Sequence, residues 1–192
     1  MDAVVPHMAP RIAPATPPWS EAVGRALAPV TQPGREPLLL FRVLARDERL
    51  FARFFGAGLL DRGHLTLRQR EIVIHRICAL NRAEYEWGVH AAIFGERAGL
   101  GPQELAATIH GDAASPCWTA DEALLIELCD ESSRAAAVSP DLWRRLETRF
   151  GELAVLELLM LCGFYRTVSL LVNGLALPCE SWGRRFAEFP PA

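Results

Sequence analysis

The sequence predicts an all-α protein of seven to nine helices, on three observations. No stretch alternates apolar and polar residues over strand length, and no Asn-Gly or Asp-Gly pair stands as a hairpin turn between two such runs. Apolar residues recur at helical spacing through most of the chain from Pro37 onward. Three segments open with capping signals: Thr66 with Gln69, Thr119 with Glu122, and Ser139 followed by Pro140.

Residues 1–18 are rich in Pro and Ala and read as an extended arm, free to lie on a neighbouring subunit. A single domain over 19–180 and a tail over 181–192 complete the chain. Ser20 caps a short helix running to about Ala28, and "PVTQPGREP" breaks it. From Pro37 to about Phe55 the periodicity predicts one helix, ended by Gly56 and Gly58. "LTLRQREIVIHRICAL" is the next, with Asn81 as its stop, and "EYEWGVHAAIFGERAG" follows, ending at Gly99. A short helix fits between Pro102 and Gly111. "TADEALLIELCDESSRA" and "SPDLWRRLETRFG" come next, and a long apolar helix runs from about Glu152 to Gly174.

At 192 residues, with 51% hydrophobic and 22% charged residues, the chain can bury one substantial core. A net charge of −3 and no basic run interleaved with aromatics argue against nucleic acid as a partner. "MDAVVPHMAP" lacks the charged and apolar regions of a secretory signal. The apolar stretch near the C-terminus is interrupted by Glu157, Arg166 and Asn173, which fits a buried helix better than a membrane span. The expectation is a soluble cytoplasmic protein. The five cysteines, Cys78, Cys117, Cys129, Cys162 and Cys179, are dispersed without C-x-x-C or zinc-finger spacing and read as small buried hydrophobes.

Chemistry concentrates in "EYEWGVH". Ala83, Glu86, His90 and Phe94 share one helical stripe, so Glu86 and His90 can touch. A carboxylate beside an imidazole raises its pKa and orders its tautomer, which makes an acid–base pair. Glu71, His75 and Cys78 form a second stripe on the preceding helix, and a hairpin around Asn81 would let Glu71 face His90. The bland reading, a solvated pair, is hard to sustain because Trp87, Val89, Ala91, Ile93 and Phe94 cover much of the circumference. A metal site from Glu71, His75 and His90 also fits the spacing.

"LTLRQREIVIHRICALNRAEYEWGVHAAIFGERAGLGPQELAATI" resembles the signature region of the carboxymuconolactone decarboxylase family, which also contains the alkylhydroperoxidase D-type proteins. The shared pattern is a helix with R-E, a helix with E-x-x-x-H, then A-G-L and a short P-x-E-L helix. "CGFYRTVSLLVNGLALP" resembles the family's C-terminal helix, so the resemblance spans most of residues 37–178. It implies an alkylhydroperoxidase D-like helical fold with a helical-hairpin core, assembly as homotrimers or homohexamers, and no metal. In the peroxidase branch a glutamate on the first helix works with C-x-x-C-x-x-x-H on the second. Here the glutamate falls at Glu71 and the histidine at His90, while Ala83 and Glu86 replace both thiols. Thiol-based reduction of a hydroperoxide needs an attacking and a resolving cysteine, so this pattern counts against it.

What the resemblance leaves is a cofactor-free set, Glu71, Glu86 and His90, suited to the decarboxylase branch. Such a lyase would act on a small unsaturated or keto carboxylic acid or lactone, and the same groups would serve an isomerase. Trp87 and Phe94 are the expected walls of its substrate pocket, and Arg166 the expected partner of a substrate carboxylate. The bland alternatives are core packing for the two aromatics and an interface or solvent role for Arg166. A non-catalytic oligomeric binding protein that kept the fold is the competing reading. It predicts no ligand-sized cavity beside His90, whereas the enzyme predicts one of a few hundred cubic ångströms.

Overall fold

The computed structural model describes residues 9–191. Among them are nine α-helices and no strand. Residues 1–8 of the proline-rich arm and residue 192 lie outside the described residues. Residues 11–15 follow their own chain: the Arg11 N–H donates to the Leu175 carbonyl at 2.9 Å and the Ala15 N–H to the Arg42 carbonyl at 2.9 Å.

Helix α4 (Leu67–Leu80) is the axis of the molecule, packed by α5 (Glu84–Phe94), α6 (Pro102–His110), α7 (Ala120–Ala135) and α9 (Glu152–Gly174). Eight consecutive residues from Glu71 to Cys78 are buried. A helix covered on every side has no apolar stripe to display, which is why its sequence mixes Glu71, His75 and Arg76 into an apolar run. The Thr66–Gln69 capping box starts it as the sequence predicts. Asn81 ends it, and Arg82 adopts a left-handed conformation (φ 53°) that turns the chain back into α5. The turn is tied by Ala83 N–H to the Cys78 carbonyl at 2.8 Å, and by Asn173 Nδ2 donating to the Asn81 carbonyl at 2.8 Å. That hairpin sets α4 and α5 side by side.

Two element boundaries differ from expectation. The segment 37–55 is not one helix but two, α2 (Leu39–Leu44) and α3 (Glu48–Ala57). Asp47 takes an extended conformation and accepts from the Leu50 N–H at 3.0 Å, so a cap interrupts the periodic run. Helix α5 ends at Phe94 rather than Gly99; an irregular turn follows, closed by Gly99 at φ 66°.

The N-terminal elements, α1 (Glu21–Leu27), the 3-10 turn Ala28–Val30, α2 and α3, form a cap with a small apolar cluster of its own around Val23, Leu27 and Phe51. Helix α8 (Pro140–Phe150) packs between α7 and α9. Helix α9 is long and apolar enough to cross a membrane, yet it buries one stripe, Leu158, Leu161, Tyr165, Val168 and Val172, in the core. Leu153, Leu156, Met160 and Leu170 lie exposed on its other face.

The tail is fastened to α5. Arg184 N–H donates to the Gly88 carbonyl at 3.0 Å and Phe186 N–H to Glu84 Oε1 at 2.7 Å. A Cβ at Gly88 would stand 2.1 Å from the Arg184 carbonyl oxygen, so only glycine admits this approach. Gly88→Ala is therefore expected to cost about 1–3 kcal/mol, the usual range for overpacking. A lowered melting temperature, with early proteolysis of the tail, checks it; an unchanged melt would show that the tail yields freely.

Candidate functional site

The hairpin brings Glu71 and His90 together across the α4–α5 seam. His90 Nδ1–H donates to Glu71 Oε2 at 2.8 Å, with both side chains almost completely buried. On the other side of the ring, Nε2 lies 3.1 Å from the Tyr165 hydroxyl of α9 and 3.4 Å from Glu86 Oε1. The imidazole is thus held between two carboxylates and a phenol. Its plane stands nearly perpendicular to Tyr165, with ring centroids 5.3 Å apart, and Phe94 packs against it at 5.2 Å.

The electrostatics follow from this placement. Burial disfavours the imidazolium, but the Glu71 carboxylate, by charge and hydrogen bond, and then Glu86 overcome it, raising the His90 pKa to about 10. Burial likewise penalises the Glu71 carboxylate, and the charge and hydrogen bond of His90 outweigh the penalty, so its pKa is lowered. Glu71 and His90 form an ion pair at neutral pH. Burial, then the charges of Glu86 and Glu71, push the Tyr165 hydroxyl well above its usual range, so it stays a neutral donor. Among the described residues, three buried acceptor atoms around this cluster have no protein partner: Oε1 of Glu71, Oε2 of Glu86 and Nε2 of His75.

His75 lies beside Glu71 on α4, one turn along the helix. Its Nδ1–H donates to the Glu71 main-chain carbonyl at 2.6 Å, and its ring meets Trp87 edge-on at 5.5 Å. Burial lowers its pKa to about 4, which keeps it neutral. No group of three or more His, Cys, Asp or Glu side chains among the described residues is arranged to hold a metal ion.

A cavity of about 600 Å³ opens beside this cluster, between the cap and the helical core. Glu86, His90 and Tyr165 supply its polar end. Phe41, Phe54, Phe55, Phe94 and Phe164 line it, together with the backbone stretch 29–33 and the loop residues Leu60 and Asp61. Arg97, three residues past the end of α5, is the sole arginine of its wall.

Of the expected site residues, Glu71, Glu86, His90 and Phe94 are brought together. Trp87 is not a pocket wall: it is fully buried, donates from Nε1 to Thr108 Oγ1 at 3.0 Å, and packs on Phe186 and Phe189 of the tail. On α5 it faces away from the cavity because it follows Glu86 by one position, about 100° around the helix. Arg166 is likewise remote. It is exposed, donates to the Ser133 carbonyl at 3.4 Å, and lines a separate hollow of about 240 Å³ between α7 and α9. Cys78 is fully buried and outside the cavity wall, and burial, then the Glu86 charge, push its thiol pKa well up.

Tyr165 was missed in the sequence, because α9 is apolar on most sides and no spacing within it marks the stripe that faces His90. Arg97 was missed too. It lies in the turn beyond the end of α5, where no helical spacing singles it out.

Residues 48–128 match the model of the carboxymuconolactone decarboxylase family. The segment carries Glu71, Glu86, His90 and Arg97 but neither Tyr165 nor the cap residues before α3. Among solved structures, the fold matches an uncharacterized peroxidase-related protein from Silicibacter sp. TM1040. The TM-score is 0.77 and the identity 14%, over 89% of this chain and 92% of that one. The architecture is the alkylhydroperoxidase D-like helical fold. No curated protein matches this sequence.

Proposed function

We propose that the chain is a cofactor-independent proton-transfer enzyme, a lyase of the carboxymuconolactone decarboxylase type or an isomerase, acting on an unsaturated or keto carboxylic acid or lactone. The observation that carries this reading is a ligand-sized cavity whose polar end is a charged His90, backed by Glu71 and flanked by Glu86 and Tyr165. A carbonyl oxygen placed there meets two donors, His90 Nε2–H and the Tyr165 hydroxyl, which are suited to an oxyanion. Glu86, with one unpartnered oxygen, is the group placed to take a proton from carbon or return one.

For a decarboxylation, the C–COO⁻ bond breaks, its electron pair moves into the carbonyl to give an enolate held by His90 and Tyr165, and CO₂ departs. The Glu86 carboxylate then takes a proton from solvent and passes it to the carbon, returning to its charged form. For an isomerisation, Glu86 removes and returns the proton and no CO₂ is lost. Two features weigh against the competing readings. The cavity is what a non-catalytic scaffold would lack, and Cys78 stays a protonated, enclosed thiol that cannot serve as a peroxidatic thiolate.

A panel of lactone carboxylates and keto acids, followed for CO₂ release and solvent deuterium incorporation together, tests the reading. Turnover that drops about 10²-fold or more in Glu86→Gln is expected. Silence across the panel, from folded protein that binds no member of it, would transfer the reading to the non-catalytic scaffold.

A further inference from the structure

We infer that the substrate is a flat, ring-bearing carbonyl compound whose anionic group lies remote from its reacting carbon, the ring held by the phenylalanines of the cap and α9 and the anion by Arg97. This rests on the proton-transfer reading for the reacting end and extends it to the rest of the molecule.

The argument starts from volume. A cavity of about 600 Å³ falls in the range of about 300–1,000 Å³ that encloses drug-sized ligands, far more than a short keto acid would fill. The walls are rings in contact: Phe55 with Phe41 at 4.9 Å, Phe54 with Phe164 at 5.2 Å, Phe164 with Tyr165 at 5.5 Å. From Tyr165 the series continues through His90 to Phe94. Aromatic surfaces favour an offset or edge-on ring partner, and a planar ligand meets them at low entropic cost.

Charge fixes the orientation. Glu86 occupies the reacting end, so any anionic group other than a carboxylate that leaves as CO₂ would face a like charge there. Arg97 offers the opposite sign on the cavity wall, in the turn that follows α5. It is exposed, its guanidinium lies 5.6 Å from the Phe94 ring centroid, and no carboxylate among the described residues pairs with it. Asp61 also lines the wall and opposes an anion there by like charge. Phe41 and the stretch 29–33 precede the segment that matches the family, so much of this wall belongs to the cap of this chain.

Three probes separate the parts: 4-acetylbenzoate (ring, ketone and remote carboxylate), acetophenone (no carboxylate) and levulinate (no ring). Calorimetry on the full chain is expected to show 4-acetylbenzoate binding at least tenfold tighter than either of the others. Arg97→Gln should erase its advantage over acetophenone, Phe54→Leu should erode its advantage over levulinate, and Arg166→Gln should change neither. Asp61→Asn should tighten the acid. Levulinate binding as well as 4-acetylbenzoate would overturn the ring slot, and an unchanged acid preference in Arg97→Gln would overturn the anion site. Deuterium exchange at the ketone methyl is read alongside. Binding in the expected order without exchange would refute proton transfer and leave this inference standing; exchange without ring preference would do the reverse.

Discussion

Glu71→Gln is expected to lower folding stability by about 3 kcal/mol at pH 7, the low end of the range for breaking one side of a buried ion pair. Glu71 is fully enclosed and holds His90 charged in a place where burial alone would discharge it. The amide can still accept the Nδ1–H, so the loss is that of charge rather than of shape. The pH dependence carries the sharper sign. The folded-state pKa of His90 is raised from 6.5 to about 10, so its contribution is fully present below pH 6.5 and is lost as pH rises through about 10. On the acid side, Glu71, with a lowered pKa, contributes above 4.5 and loses that contribution as pH falls. His75, held neutral with a pKa near 4, likewise costs stability as pH drops below 6.5. Denaturant titrations from pH 4 to 10 should therefore show a maximum near pH 6.5 in the natural chain. In Glu71→Gln the alkaline decline should shrink while the acid decline due to His75 remains. A variant that kept the full alkaline slope would show that His90 does not owe its charge to Glu71.

The same pair explains what the sequence could and could not disclose. Contacts within a helix, or across one tight hairpin, were legible because helical spacing fixes them: Glu86 with His90 on α5, and Glu71 opposite once Asn81 and Arg82 turn the chain. Capping residues marked α4, α7 and α8 for the same reason, since caps are local chemistry. Asp47 is also a cap, but it interrupts a run whose periodicity continues across it, so two helices read as one.

Helix α9 was harder. Apolar residues surround it, and a polar stripe through Cys162, Arg166, Ser169 and Asn173 is as regular as the stripe through Leu158, Leu161, Tyr165 and Val172 that packs. With apolar residues on every side, nothing local says which stripe faces inward, and Arg166 stood out for its charge and its place on the polar stripe. Trp87 misled for a related reason. Its partners, Thr108, Phe186 and Phe189, stand on α6 and in the tail, and no spacing within α5 points to them. The cavity wall was out of reach altogether. It is assembled from Phe41, Phe54 and Phe164, which meet only when the cap docks beside α9.

His90→Gln is expected to reduce kcat/KM by about 10³-fold for any substrate that turns over, with the fold intact. This magnitude lies within the range of about 10²–10⁴ for a positioned acid–base group, and at about 1.4 kcal/mol per tenfold corresponds to about 4 kcal/mol of transition-state stabilisation. Glutamine is the informative replacement because its amide can still donate to Glu71, whereas alanine would leave that carboxylate enclosed without a donor. Tyr165→Phe should cost less, about tenfold, since it removes one of two donors and leaves the charged one. The pH profile separates catalysis from mere structure. If the working form of His90 is the imidazolium, kcat/KM falls as pH rises through about 10. In Glu71→Gln that alkaline limb should move toward neutrality, because burial then depresses the imidazolium that Glu71 no longer sustains. Circular dichroism at each pH guards against unfolding as the cause. A limb that stayed in place in Glu71→Gln, or full activity in His90→Gln, would remove the imidazolium from the reaction and leave Glu86 and Tyr165 as the only groups at the polar end able to carry it.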